Sequence, residues 1–284
     1  MFPILVRTKD RPFYLNTTLA SLTATNLNDG QIIIIDDCST TDVMNEYLFT
    51  DHEITLPNFN WYGEINSKIT ERGSILTNDV NLKLSNKEIW DKYIGNIPIK
   101  TKIKGLKNRF NVLQPKNHNG DIAGLLWIIF TGFSLFRNVD KIVILEDDLI
   151  FNKNWLNYCI SIFKQVNDNS LGCISVYNRE NDFTCKYNLN NYCKNPNIGG
   201  VMYMIPRNVF DLMKTNGVFD LSFSDLQIGG DVYFQEWLSN NNLKIYNSMF
   251  SFIQHIGIQS TVRPGRFLRY SKNFVQPFAW NEDF

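Results

Sequence analysis

The chain has 284 residues, 44 % of them hydrophobic and 14 % aromatic, which is enough apolar material for one α/β core carrying insertions. Lys plus Arg and Asp plus Glu number 28 each, so no global charge excess marks a nucleic-acid or acidic-membrane binder, and any anionic ligand must be held locally. The five cysteines show neither CxxC spacing nor an even count, which argues against a zinc cluster or a complete disulfide framework and for a reducing compartment.

Phe2 to Val6 reads as a short buried strand, and Asn16 to Leu22, with Leu15, Leu19 and Leu22 on one face, as the helix after it. Gln31 to Ile35 is a second continuous apolar strand, closed by Asp36 and Asp37, after which Ser39 and Thr40 can cap a helix through Leu48. This alternation predicts an α/β fold with a mainly parallel central sheet flanked by helices, whose ligands bind beyond the carboxyl ends of the strands. From about 50 to 116 the pattern loosens into an insertion, including the basic run Lys100 to Arg109, read as a solvated face.

Regularity returns with a helix over Asp121 to Phe136, a strand over Lys141 to Leu145, a helix near Trp155 to Val166 and a strand over Cys173 to Val176. Cys159 and Cys173 fall in these apolar patterns and are expected in the core, whereas Cys185 and Cys193 flank a polar loop and would pair only under oxidising conditions. Gly199 and Gly200 lead into a strand ending at Ile205, Arg207 to Lys214 is a short helix, Asp231 to Leu238 another helix, and Leu243 to Tyr246 a short strand. The tail from Phe250 shows no clear periodicity but is dense in aromatic and basic residues.

No apolar run approaches the roughly 20 residues of a membrane span, and no basic segment precedes a signal-like stretch. The protein is therefore expected to be soluble and without a membrane segment, cytoplasmic or of unassigned location. The first strand begins so early that a catalytic domain cut from a longer chain would read the same way.

The most informative stretch is Ile142 to Phe151, where Glu146, Asp147 and Asp148 interrupt a β-branched run. Carboxylates in such a run are costly to bury without compensation, so the triplet at a strand end points to a hard divalent cation bound with substrate phosphates. The alternative is a solvated turn with capping aspartates.

Ile144-Leu145-Glu146-Asp147-Asp148-Leu149 resembles the DXD-type motif of the GT-A glycosyltransferases, in the Glu-Asp-Asp form of family 13, the N-acetylglucosaminyltransferase I-like enzymes. Pro3 to Val6 with Asp10 and Arg11 is similar to that family's opening strand and loop. Ile34 to Cys38 is similar to its second strand, while Ile35 to Asp42 equally resembles the family 2 signature. The resemblance implies the GT-A, Rossmann-like nucleotide-diphospho-sugar transferase fold over residues 1–284 as a single domain.

It further implies that Asp37 or its neighbour Asp36 hydrogen-bonds a nucleotide base, with Arg11 and the backbone near Arg7 and Thr8 lining the same donor pocket. Asp148 would ligate the metal, Mn²⁺ or Mg²⁺, Glu146 would face the ribose, and Asp147 would belong to the donor site with the least defined task. Asp231 matches the position of the catalytic base in inverting enzymes of this fold; an ordinary helix N-cap is the other reading. Glu236 is the alternative base and a candidate acceptor or sugar contact. Gly199 and Gly200 would admit a ligand close to the backbone, near the acceptor or donor sugar, unless they form a simple turn.

His255 corresponds to a late histidine that many such enzymes place on the metal or diphosphate. Arg263, Arg266, Arg269 and Lys272, interleaved with Phe267 and Tyr270, suit a C-terminal cover over about 250–284 or, equally, a solvated basic segment. The implied activity is inverting transfer of a sugar from a nucleotide-sugar donor, a UDP-sugar such as UDP-GlcNAc, to a hydroxyl on a glycan or glycoprotein acceptor. The rivals are a sugar nucleotidyltransferase and a non-catalytic nucleotide-sugar or glycan-binding module. The first usually carries a glycine-rich phosphate loop near its first strand, and Arg7 to Tyr14 contains no glycine.

Overall fold

The computed structural model describes residues 1–40, 48, 51–53, 102–103, 105–106, 109–116, 120–166, 169–178, 186–187, 192–194, 200–221, 229–248, 250–257, 271, 274–282 and 284. Outside these lie most of the expected helix before Leu48, most of the 50–116 insertion, Cys185, Gly199, and the tail residues Arg263, Arg266, Phe267, Arg269, Tyr270 and Lys272.

Strand β1 spans Phe2–Thr8, helix α1 Pro12–Thr23 and strand β2 Gly30–Asp36. The helix starts four residues before the apolar spacing predicts, because Pro12 at its first turn has the backbone angle a helix needs and no N–H to leave unpaired. Short strands β3 (His52–Glu53) and β4 (Lys102–Ile103) pair antiparallel with each other. Strand β5 (Asn111–Leu113), within the stretch read as an insertion, instead extends the main sheet beside β2.

Helix α2 covers Gly120–Leu135, strand β6 Lys141–Glu146, strand β7 Leu149–Phe151, helix α3 Trp155–Gln165 and strand β8 Leu171–Ser175. Strands β9 (Lys186–Tyr187), β10 (Tyr192–Lys194) and β11 (Met202–Pro206) follow, then helix α4 (Arg207–Thr215), helix α5 (Gly230–Asn240), strand β12 (Lys244–Ser248) and strand β13 (Ile253–His255).

Nine strands form one sheet in the order β5-β2-β1-β6-β11-β8-β12-β10-β9. Following the pairings from β1, seven of them run one way and only β11 and β10 run against it. The fold is thus α/β with a mainly parallel sheet, as the alternation of apolar runs predicts. Strands β1, β2, β6 and β8 read as continuous apolar runs because helices cover both faces: Ile4, Val6, Ile34, Val143, Leu145 and Ile174 are wholly buried. Cys159 and Cys173 lie in this core, and burial pushes both thiols above their ordinary pKa.

The described residues of the tail are more regular than its lack of periodicity suggests. β13 pairs antiparallel with β7 to make a separate two-stranded ribbon, and bridges Asn152–Phe278 and Ser251–Phe274 tie the following chain to it. The sequence reading missed β13, because three residues are too short for an alternating pattern to register.

Candidate active site

The register of the parallel strands assembles the site. Thr8 lies opposite Asp36 across β1 and β2, and Arg7 opposite Glu146 across β1 and β6, so three strands deliver polar residues at their carboxyl ends. Antiparallel β11 begins at the same edge, where Glu146 donates its N–H to the carbonyl of Val201 at 3.1 Å. Residues far apart in sequence thereby line one rim.

At the β2 end, Asp36 is fully buried; its carboxylate accepts from Ser39 Oγ and, at 2.7 Å, from Gln114 Nε2. Gln114 directly follows β5, and its role depends on a strand pairing that sequence reading did not recognise. Asp37 accepts from Arg7 at 3.1 Å, and the same guanidinium donates to Asp121 Oδ1 at 3.2 Å and to the carbonyl of Gly120 at 3.3 Å. Burial lowers the Arg7 pKa, but Glu146, Asp121 and Asp37 more than offset it, so the charge is permanent. Arg7 is the electrostatic hub between β1, β2 and α2.

The acidic triplet divides by environment. Asp147 is wholly buried, with Thr8 Oγ1 donating to it at 2.7 Å and the Arg11 guanidinium donating to both its oxygens. Its carboxyl is nonetheless pushed up to about 6, because burial outweighs Arg11. The side chains of Thr8 and Arg11, residues expected beside the Asp36–Asp37 pocket, turn toward the acidic triplet. Asp147 is enclosed by the two of them at the turn between β6 and β7.

Helix α1 braces that turn from below. Thr18 Oγ1 donates to the carbonyl of Asp147 and accepts from the N–H of Leu149 at 2.8 Å, while Ser21 Oγ accepts from Phe151 N–H at 2.9 Å. Two hydroxyls on a helix face otherwise read as apolar satisfy backbone groups that the turn between β6 and β7 leaves unpaired.

Asp148 stands at the centre. Its Oδ2 accepts from Arg11 Nη1 at 2.8 Å and lies 3.3 Å from His255 Nε2, while its Oδ1 is buried with no hydrogen-bond partner among the described residues. Burial raises its pKa, yet Arg11 and His255 together hold it below the ordinary carboxylate range. Histidine arrives there through the ribbon: His255 pairs with Leu149, and Ile256 N–H donates to the carbonyl of Asp148 at 2.9 Å. Gly257 is required next, since a Cβ there would fall 2.0 Å from Asp148 Oδ2.

Glu146, at the end of β6, is half-buried with its carboxyl pushed up to about 8; burial is the main cause, opposed by Arg7 and reinforced by Asp148. Tyr203, opposite Ile144 on β11, has a buried hydroxyl with no partner among the described residues, held protonated by burial and by Asp231, Glu146 and Asp121. Sequence reading took Tyr203 as one more apolar strand residue.

Asp231 occupies the first turn of α5. Gly200 sits against it, an added Cβ meeting the Asp231 side chain at 3.1 Å. The N-terminus of α5 is fixed by Asp121, whose Oδ2 accepts from Gly230 N–H at 3.0 Å. A chain of contacts thus runs from Asp37 through Arg7 and Asp121 to the helix that carries Asp231. Glu236 lies on the exposed side of α5.

Among the described residues, no three His, Cys, Asp or Glu side chains gather as a complete metal cage. The arrangement suits a cation that takes a carboxylate and an imidazole from the protein and its remaining ligands from phosphate and water. The orphaned Asp148 Oδ1 and the adjacent His255 Nε2 fit that demand.

No protein-family model and no curated protein sequence matches the chain. Solved structures similar to it include S. aureus TarS in complex with UDP-GlcNAc, at 13 % identity and TM-score 0.48 over 89 % of this chain and 57 % of that one. GalNAc-T7 with UDP, GalNAc and Mn²⁺ is similar at 12 % identity and TM-score 0.48, over 90 % of this chain and 43 % of that one. The mannosyltransferase PcManGT from Pyrobaculum calidifontis, with GDP-Man and Mn²⁺, is similar at 11 % identity and TM-score 0.45, over 87 % and 56 %. This chain spans less than two thirds of the length of each. No helix among the described residues is long and apolar enough to cross a membrane.

Proposed function

We propose that this chain is a GT-A glycosyltransferase that moves a sugar, with inversion, from a nucleoside-diphosphate donor to an acceptor hydroxyl. The observation that carries the reading is the meeting of Asp148 and His255, 3.3 Å apart, on the strand edge that also presents Asp36, Asp37, Glu146 and Asp231. The donor is read as a UDP-sugar, with UDP-GlcNAc favoured through the sequence resemblance, and the acceptor as a glycan or glycoprotein. Residues 1–284 are read as one catalytic unit, with 50–116 as an insertion and the tail as a cover.

Asp148 and His255 would hold Mn²⁺ or Mg²⁺. The ion, when bound, supplies charge that stabilises the departing diphosphate. Asp36 and Asp37 face the base end of the site, where Ser39, Gln114 and Arg7 fix their carboxylates. Glu146 faces the ribose. Asp231 takes the proton from the acceptor hydroxyl as that oxygen attacks the anomeric carbon and the bond to the diphosphate breaks. Arg7 and Asp121 hold that helix in register with the strand edge, which sets the distance between donor and base.

A thermal-shift screen of nucleotide sugars with and without Mn²⁺ tests this reading, because a ligand that binds only the native state raises its stability. A Mn²⁺-dependent rise with one or more donors is expected. A flat response to every donor, with the metal present, would contradict it.

A further inference from the structure

Arg11 is placed where a free cation would be redundant. It caps α1, stacks on Tyr14 with its guanidinium carbon 5.5 Å from the ring centroid, and spans Asp147 and Asp148. Its Nη1 sits 2.8 Å from Asp148 Oδ2, the oxygen that also faces His255. Its side chain is 14 % exposed, so the pair is largely shielded from solvent.

We propose that Arg11 is an internal counter-ion that competes with the divalent cation for Asp148, and that nucleoside diphosphate binding relieves the competition by accepting the arm of Arg11 that leaves. This rests on the reading that Asp148 takes a cation. With neither ligand present, Arg11 bridges two buried aspartates and offsets one of their two charges. A cation arriving at Asp148 meets a carboxylate already paired and a positive charge within hydrogen-bond distance of it, so binding alone is opposed. When a diphosphate enters, Nη1 can pass from Asp148 to a phosphate oxygen while the remaining nitrogens stay on Asp147, because a planar guanidinium presents several donors at once. Cation and nucleotide then favour each other's binding, reciprocally and by the same factor. Asp147 acquires a purpose here: it is the tether that keeps Arg11 in place through the exchange.

Isothermal titration of Mn²⁺ into wild type and Arg11→Gln, each with and without UDP, tests this. Wild type should bind Mn²⁺ weakly alone and roughly tenfold more tightly with UDP, and the variant should bind Mn²⁺ alone roughly tenfold more tightly than wild type while losing the UDP effect. Should Arg11→Gln fold poorly, Arg11→Gln with Asp147→Asn removes the buried charge left behind, and the same outcome is expected. Equal or weaker Mn²⁺ binding in a folded variant, beside measurable binding in wild type, would overturn the competition. Mn²⁺ binding to none of these proteins, with UDP present, would overturn the cation reading together with the proposal.

Discussion

His255 stands 3.3 Å from Asp148 because β13 pairs with β7, the strand that leaves the main sheet directly after the acidic triplet. The two residues are 107 positions apart, yet the ribbon fixes them as neighbours, and the Ile256 N–H bond to the Asp148 carbonyl locks the register. If this pair holds the cation, His255→Ala should weaken Mn²⁺ binding about tenfold, equivalent to about 1.4 kcal/mol. Gly257→Ala should do at least as much, since its methyl group would displace Asp148 Oδ2. Electron paramagnetic titration of free Mn²⁺ against each variant measures this, and unchanged affinity in both would remove His255 from the site.

Asp231 is the base in this account, and its substitution should separate chemistry from binding. Asp231→Asn is nearly isosteric and keeps its place at the α5 N-terminus, so donor binding and melting temperature should stay close to wild type. The transfer rate should drop by roughly 10²–10⁴. Glu236→Gln, on the exposed side of the same helix, should leave the rate within a few-fold. The reverse ordering of the two variants would move the base to Glu236.

Arg7 is predicted to matter for stability before catalysis. Its guanidinium is 14 % exposed and pairs with nearly buried Asp37, so Arg7→Met strands a carboxylate inside the protein. A loss of about 3 kcal/mol is expected in urea unfolding, in the range for breaking a buried pair from one side. A loss below ~1 kcal/mol would mean that Asp37 finds solvent or another partner easily.

Much of the frame was legible from the chain alone. The β-branched runs at Phe2, Gln31 and Lys141 gave parallel strands because each is buried on both faces, and the aspartates that end two of them stand out against that background. The resemblance singled out Asp148, His255 and Asp231, and the ribbon brings the first two within 3.3 Å of each other. What sequence reading missed depends on pairing between distant segments. Gln114 reaches Asp36 because β5 joins the sheet edge, Arg11 reaches Asp148 from the N-cap position of α1, and Tyr203 is polar only at its hydroxyl, which feels the charges of Asp231 and Glu146. Thr18 and Ser21 look like ordinary helix residues until the turn they brace is seen.

Glu146 gives the metal-free protein a pH dependence of defined sign. Burial raises its carboxyl from 4.5 to about 8 in the folded state, so its contribution to stability is complete below 4.5 and is lost as pH rises toward about 8. Asp148 is shifted the other way, and its contribution is lost only in acid, outside this window. In EDTA, melting temperature should therefore fall across the window, with Asp147, raised to about 6, adding to the acid half, and Glu146→Gln should flatten the part above pH 6. A wild-type profile that rises over the same range would show that Glu146 is ionised and compensated in the fold.

The most direct test of the whole account is titration of UDP into the protein by calorimetry, with Mn²⁺ and again with EDTA, for wild type and Asp148→Asn. One-to-one binding to wild type is expected with Mn²⁺, weakened roughly tenfold in EDTA, with no Mn²⁺ enhancement in the variant. Binding of equal strength in all of these conditions, or none to wild type with Mn²⁺, would contradict it.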